Sequence, residues 1–547
     1  MELAEFKEFL KRLDDLPNVQ PLSGEPLKQK ARAAGHETPF GVRFMTDVRN
    51  RSARLTVCIG SDKVQTKNPN PDQKRIIMEL PKTLELVKKY IEAGTPMVSL
   101  TKRMADNSYY TPTCKLYVST QRGSNIRLAY MLDILLFDPD PRYESDTTLT
   151  MINIPEWQEK DRQILVFPEE GLTIVLGTDY FGEVKKGFLR MAMWFAKQRG
   201  WLGVHAGSKL VYARSQVDGK LRLYGMLPFG LSGTGKTIHT CHDHGLNEEG
   251  EKTLIVQDDF VMLPLKKQGP ILGTENAFFL KTENLDEPAQ AFLKEAMKSR
   301  NSAMENVFVS WDGRVDFSNH ILTSNGRVVL PRDDLKPRVS DDINLPPIEE
   351  LDKLILFIIT RRNTVIPIAA KLTPEQGAAA FVLGESIETT AGDPRRAGES
   401  IRVLGTNPFI VGDEAEEGNL FYQFIKDYEN KVECYLINTG RIGQLLAEDE
   451  EGRKIIVQEG RDITIEDTAL ITRAIFRETI KWEKEPYFGY YVPVEVEGMD
   501  INEFDPRRYY TNEQMENFVN TLKKERREYI ERYPKLAEEI VRAINSD

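Results

Sequence analysis

Cysteine and histidine are scarce in the 547-residue chain, at four and six. Cys58, Cys114, Cys241 and Cys434 stand far apart with no Cys-x-x-Cys pair. A disulfide scaffold and a paired-cysteine metal domain are both excluded, and a reduced, intracellular protein is expected. Long apolar runs are missing too: no uncharged stretch reaches the roughly 18 residues that a membrane-spanning helix needs. The opening segment MELAEFKEFLKRLDDL has an amphipathic helical pattern without the apolar core of a signal peptide, so a cytoplasmic location is expected. Positive charge is not in excess. The formal net charge of −11 argues against nucleic-acid and membrane-surface binding, since both need a positive footprint. Internal repeats and low-complexity tracts are absent as well.

What is present suits a large globular chain. Hydrophobic residues at 40% and charged residues at 29% supply both core and solubility, and the length exceeds what one core organises. The runs RLTVCIG, CKLYVST, IRLAYMLDILLF, TLTMINI, ILVFP and LTIVLGT read as strands. LPKTLELVKKYIEAG and KKGFLRMAMWFAKQRG carry apolar residues at helical spacing and stop at Gly94 and Gly200. Between the first helix and about Pro39 the pattern is that of a polar connection. Further on, KLVYARSQ and KLRLYGMLPF flank VDGK, a hairpin signal. The expected fold is α/β: a mixed α+β substrate-binding domain over 1–200, a mononucleotide-binding domain with a phosphate loop over 201–500, and a helical tail over 501–547.

Gly230-Leu231-Ser232-Gly233-Thr234-Gly235-Lys236-Thr237 satisfies G-x-x-x-x-G-K-[ST], preceded by the strand-like LRLYGMLPF. Glycines let successive backbone N–H groups turn around phosphate oxygens. Lys236 brings a cation to the outer phosphates, and the Thr237 hydroxyl suits a divalent metal. Downstream, Leu254-Ile-Val-Gln-Asp258-Asp259 is an apolar strand delivering two carboxylates at its end, the arrangement that holds Mg²⁺ or Mn²⁺ beside a triphosphate. Nucleoside triphosphate binding with a metal is therefore expected.

Upstream, Thr178-Asp-Tyr180-Phe-Gly-Glu-Val-Lys185-Lys186-Gly187 places adjacent lysines near a helix start, where the dipole and mutual repulsion oppose their charge. His205 sits among small apolar residues in LGVHAG. TDYFGEVKKG, GVHAG, GLSGTGKT and IVQDD, followed by ENAFFLKTENL, VDFSNHILTSNGRVVLP, PIAAKLTPEQ, YLINTG, GRDITIEDT and TRAI, occur in an order that resembles phosphoenolpyruvate carboxykinase, most closely its ATP-dependent class. The resemblance spans roughly residues 40 to 480.

That resemblance implies a bilobal carboxykinase architecture and conversion of oxaloacetate plus ATP into phosphoenolpyruvate, ADP and CO₂, in either direction. It implies Lys186, His205 and Asp259 as ligands of Mn²⁺, with Asp258 supporting them and Thr237 on a second ion, Mg²⁺. Lys185 then faces the transferring phosphoryl group. Arg51 and Arg327 correspond to the arginines that fork onto substrate carboxylates, with Arg49 and Arg54 as alternatives to Arg51. Tyr180 would meet substrate or CO₂, Ser232 would reach the substrate from the loop, and Lys281, Arg461 and Thr468 fall on the nucleotide side.

The chain departs from the family in three places. Phe260 follows the aspartate pair where a polar neighbour is usual, Arg461 to Thr468 carries one extra residue, and the segment after about 500 has no counterpart. GTP and pyrophosphate therefore stay open as donors, and a kinase for another small acid or a non-catalytic nucleotide-binding scaffold are the rival readings. His239-Thr-Cys241-His242-Asp-His244 is read as the polar run behind the phosphate loop, because four candidate ligands in six residues do not readily close a tetrahedron. The charged C-terminal helices carry Leu522, Tyr529, Leu536, Ile540 and Val541 along one side, the pattern of a helix docked on its own chain or facing a second copy in a homo-oligomer.

Overall fold

A computed structural model of the chain describes all residues except 144, 232, 268, 389–398, 449–453 and 546–547. Two compact units result. The first comprises Met1–Arg199, Thr274–Lys336 and Phe409–Asp413; the second comprises Gly200–Gly273, Pro337–Pro408 and Glu414–Asp547. The units are interleaved along the chain because sheet pairing crosses large sequence distances. Strand Ala277–Lys281 pairs antiparallel with Arg327–Pro331, which pairs with Ala303–Glu305, and that strand runs parallel to Gly41–Phe44. Residues 274–336 thus fold with the N-terminal segment, and residues 501–547 fold into the second unit.

The core of the first unit is a seven-stranded mixed sheet in the order Val19–Pro21, Met97–Arg103, Thr113–Ser119, Thr148–Ile154, Leu172–Leu176, Gln163–Phe167, Thr56–Cys58. Gln163–Phe167 and Leu172–Leu176 are buried at every position, so they read as continuous apolar runs and not as alternating ones. Helix Pro71–Glu92 starts with Asn70 and Gln73 satisfying each other's backbone N–H groups and ends before Gly94, whose φ is +95°. Helix Phe181–Gln198 has its first thirteen residues buried, from Phe181 through Met193. Two expectations are corrected. IRLAYMLDILLF is a helix over Ile126–Leu135, not a strand. A short, wholly buried apolar run has no periodicity to separate the two, and its Leu, Ala and Met content favours helix. The polar stretch before Pro39 contains helix Gly24–Ala33, held by buried Leu27 and Ala31.

The second unit is built on an eight-stranded sheet whose parallel centre is Leu221–Phe229, Lys353–Thr360 and Val432–Asn438. The hairpin at VDGK joins Ser208–Arg214 to Leu221–Phe229, with Gly219 at φ +74°. The central strands end together, so the loops after Phe229, Thr360 and Asn438 gather at one edge. TLIVQDDFVMLPL breaks into Lys252–Gln257 and Val261–Pro264 around Asp258, Asp259 and Phe260. The C-terminal helix Asn512–Ile530 docks within this unit: buried Arg526 donates to both oxygens of Glu385 at 3.2 and 2.9 Å.

Candidate active site

In the second unit the phosphate loop follows the buried end of strand Leu221–Phe229, and helix Lys236–Cys241 begins at its last glycine. Gly235 has φ +103°, a conformation that L side chains rarely adopt. A Cβ at Gly230 would lie 2.5 Å from Thr234 Oγ1, so close packing demands glycine there. Thr234 folds the loop on itself by donating its hydroxyl to the Leu231 carbonyl at 2.8 Å. From the end of strand Val432–Asn438, the Thr439 hydroxyl donates to the Thr234 carbonyl at 2.7 Å. Lys236 is buried and donates Nζ to Asp259 Oδ1 at 2.5 Å. Thr237 lies one residue inside the helix, half-buried; Ser232 lies outside the described residues.

His205 and Asp259 meet beside this loop. His205 Nδ1 is 2.7 Å from the Thr406 carbonyl oxygen, which only accepts, so the ring hydrogen sits on Nδ1. Nε2 then faces Asp259 Oδ1 at 3.0 Å. Two acceptors at that separation call for positive charge, either a second ring proton or a metal ion. Lys236 supplies one cation to the same oxygen. The pair therefore fits a divalent ion by donor type and placement. Among the described residues no three His, Cys, Asp or Glu side chains converge as a metal site, so a further ligand must be of another kind. Asp258 is buried next to Asp259, and the Phe260 ring stands 5.1 Å from the His205 ring, filling the place of a polar neighbour with an aromatic wall.

In the first unit, helix Phe181–Gln198 carries both lysines in its first two turns. Lys185 is fully buried and its Nζ lies 2.6 Å from Glu275 Oε1, with the second carboxylate oxygen equally close. Lys186 points elsewhere, its Nζ 5.0 Å from the centre of the Phe409 ring. The Arg51 guanidinium lies 4.2 Å over that same ring. Arg51 Nε is 4.0 Å from Glu183 Oε1. Burial pulls the Arg51 pKa down to about 10, against the attraction of Glu183. Arg49 donates instead to the Leu322 carbonyl, and Arg54 is exposed. Arg49, Arg51, Arg54 and Arg162 line a cavity of about 590 Å³.

Tyr180 is buried, and its hydroxyl receives Asn325 Nδ2 at 3.3 Å. Asn325 also accepts from Arg327 Nε at 2.9 Å, which ties the Arg327 side chain to the same cluster. Arg327 opposes Lys281 in the antiparallel pair and rests on Phe279 at 5.3 Å. Burial, then the Arg327 charge, lowers the Lys281 pKa; Glu283, 3.2 Å from Nζ, works against both.

Arg461 and Thr468, expected on the nucleotide side, belong to the second unit. Arg461 lies on a strand paired with Arg441–Ile442, two residues beyond Thr439, and donates to Glu503 at 3.1 Å and Asp467 at 3.3 Å. Thr468 bonds back to its own helix at Ile465. Sequence reasoning did not anticipate Glu275, Asn325, Phe409, Glu305, Asp179 or Lys209. Lys209 explains the histidine run: its buried Nζ donates to the His239 and His242 carbonyls, each at 2.7 Å, and lies 2.6 Å from His244 Nε2. This amino group, its pKa pulled down to about 7 by burial, fills the space among these groups and caps the C-terminal end of the phosphate-loop helix.

The family model described as phosphoenolpyruvate carboxykinase, in its ATP form, matches residues 87–502. A phosphoenolpyruvate carboxykinase (ATP) of Aeropyrum pernix is 33% identical over 71% of this chain and 72% of its own length. Proteins of the same description from Rhizobium rhizogenes and Rhizobium johnstonii are 27% and 26% identical, covering 63% and 68% of this chain and 58% and 65% of their own.

Proposed function

The chain belongs to the phosphoenolpyruvate carboxykinase family, and from that membership we propose that it interconverts oxaloacetate plus ATP with phosphoenolpyruvate, ADP and CO₂. A phosphate loop by itself leaves the acceptor open. The observation that carries the reading is the meeting of Arg51 and Lys186 over the Phe409 ring, beside a cavity lined with arginines. Cationic side chains gathered beside such a cavity suit an anionic substrate. No helix among the described residues is long and apolar enough to cross a membrane, and a cytoplasmic location fits the scarcity of cysteine; the reaction would serve a gluconeogenic or an anaplerotic direction.

The chemistry assigns work to each group. Arg51 and Arg327 orient the carboxylates of oxaloacetate by paired N–H donors. Loss of CO₂ leaves the enolate of pyruvate, whose oxygen must be shielded from protons until it attacks the γ-phosphoryl group in line. Tyr180, held by Asn325, would meet the substrate or CO₂. Lys236 exchanges Asp259 for the outer phosphates when ATP enters. Lys185, engaged with Glu275, would contribute its charge as that ion pair reorganises around the phosphoryl group. His205, Asp259 and Lys186 would hold Mn²⁺, with Asp258 behind them, and Thr237 would hold Mg²⁺ with the triphosphate; such ions supply Lewis-acid stabilisation of developing negative charge. Gly230 to Thr237 would cradle the phosphates, with Lys281, Arg461 and Thr468 on the nucleoside side.

The test is direct. Purified full-length protein is given oxaloacetate, Mn²⁺, Mg²⁺ and, separately, ATP, GTP or pyrophosphate, and phosphoenolpyruvate is assayed. Product with ATP is expected. Product with another donor alone would discard ATP, and no product from protein that still binds ATP would refute the acceptor. His205→Ala and Lys186→Ala are expected to lower kcat by about two orders of magnitude or more while ATP still binds.

A further inference from the structure

Asp179 and Glu183 lie four residues apart at the start of helix Phe181–Gln198, on either side of Tyr180, and both reach back to the segment that carries Arg51. Asp179 accepts from the main-chain N–H of Asp47 at 3.0 Å and of Val48 at 2.9 Å. Glu183 accepts from the N–H of Ser52 at 3.0 Å. Between these anchors Asn325 donates to the Arg49 carbonyl at 2.6 Å and to Asn50 Oδ1 at 3.1 Å. Residues 47–52 are thereby fixed at both ends to the helix that carries Lys185 and Lys186. Asp179 is itself immobilised. Arg127, wholly buried, donates Nη2 to Asp179 Oδ2 at 2.9 Å and to the Asp179 carbonyl, and its Nε stands 3.4 Å from Glu305. Arg51 Nε is buried without a hydrogen-bond partner among the described residues. Stacking on Phe409 and the charge of Glu183 place this guanidinium without using that donor.

We propose that Asp179 is a positioning residue that sets the Arg51 guanidinium for the substrate carboxylate, acting through the backbone of Asp47 and Val48. The proposal rests on the reading of Arg51 as a substrate-binding arginine. Without the Asp179 carboxylate, the main-chain N–H groups of Asp47 and Val48 lose their acceptor and Arg127 loses one of its partners, keeping the Asp179 carbonyl and Glu305, so residues 47–52 must shift to find water.

The experiment compares wild type, Asp179→Ala and Asp179→Asn. In Asp179→Ala the KM for oxaloacetate is expected to rise by about 10- to 100-fold, the cost of an ångström-scale misplacement, with the KM for ATP within about twofold. Trypsin is expected to cleave after Arg49, Arg51 or Arg54 faster than in wild type, read by mass spectrometry of the native full chain. Asparagine, which keeps one acceptor oxygen, is expected to restore both readouts in part. Equal rises in both KM values, or unchanged oxaloacetate KM and tryptic rate, would overturn the proposal. Should the alanine variant not fold, Asp179→Asn decides alone by the same pattern. The tryptic comparison needs no turnover: a wild type that forms no phosphoenolpyruvate refutes the substrate reading, while unchanged cleavage refutes the role of Asp179.

Discussion

Glu385→Gln tests how the second unit supports its phosphate loop. Glu385 is buried and faces three arginines: it accepts from Arg526 at 2.9 and 3.2 Å and from Arg402 at 2.9 and 3.1 Å, and it forms an ion pair with Arg362 at 3.1 Å. Glu525, one third exposed, is the second carboxylate of the group, 2.7 Å from Arg402. These contacts hold the carboxyl of Glu385 well below its ordinary range, the charge of the arginines outweighing burial. At an effective dielectric near 20, each close pair contributes roughly 4 kcal/mol gross. Much of that offsets the several kcal/mol of desolvation, and removing one partner of a buried ionic group costs about 3–5 kcal/mol net. Glutamine keeps the shape and leaves three guanidiniums with one exposed carboxylate. Urea unfolding at pH 7.5 is expected to show that loss, with a fall in melting temperature on the order of 5–10 °C. Glu525→Gln is expected to cost less than about 1 kcal/mol. The pH dependence has a definite sign. A depressed carboxylate stabilises above its unfolded pKa and loses that stabilisation as pH falls, so the gap between wild type and Glu385→Gln should close towards acid pH. The cluster also bears on the site: the Thr360 hydroxyl donates to the Glu385 carbonyl, and Thr439 links Thr360 to the phosphate loop. A variant within about 1 kcal/mol of wild type would refute the reasoning.

Lys209→Met removes the amino group that caps the phosphate-loop helix and leaves the His239 and His242 carbonyls without that donor. A fluorescent ATP analogue should bind about tenfold more weakly, with a stability loss of about 2–3 kcal/mol in urea. Unchanged affinity would separate Lys209 from nucleotide binding. Burial pushes the pKa of Glu305 up to about 7, against Arg127 and with Asp179. A raised carboxyl pKa gives stability that is present below about pH 4.5 and lost as pH rises through 7. Relative to Glu305→Gln, wild type should therefore lose on the order of 3 kcal/mol between those limits, and parallel stability profiles would exclude this ionisation.

Local pattern was informative where a short segment carries the whole physical requirement. The glycines of the phosphate loop, the Asp-Gly hairpin and the capped helices are legible because backbone conformation and capping are decided within a few residues. Ile126–Leu135 was not, since a helix buried on all sides shows no amphipathic period. Helix Gly24–Ala33 was missed for the opposite reason: only Leu27 and Ala31 are buried, too little apolar signal among Gly, Pro and charged residues.

By itself the sequence determined the phosphate loop, the apolar strand ending in Asp258 and Asp259, the lysine pair and the family order of motifs, because each is a property of residue type and spacing. Tertiary structure alone decided the partners. Lys185 meets Glu275 ninety residues away, Arg51 and Lys186 share the ring of Phe409, and Arg526 reaches Glu385 from a helix beyond the family match. It also gave neighbouring arginines different surroundings, placing Arg51 on Phe409 while Arg49 turns to a carbonyl. Such contacts depend on which strands pair across hundreds of residues, and no local periodicity encodes that choice.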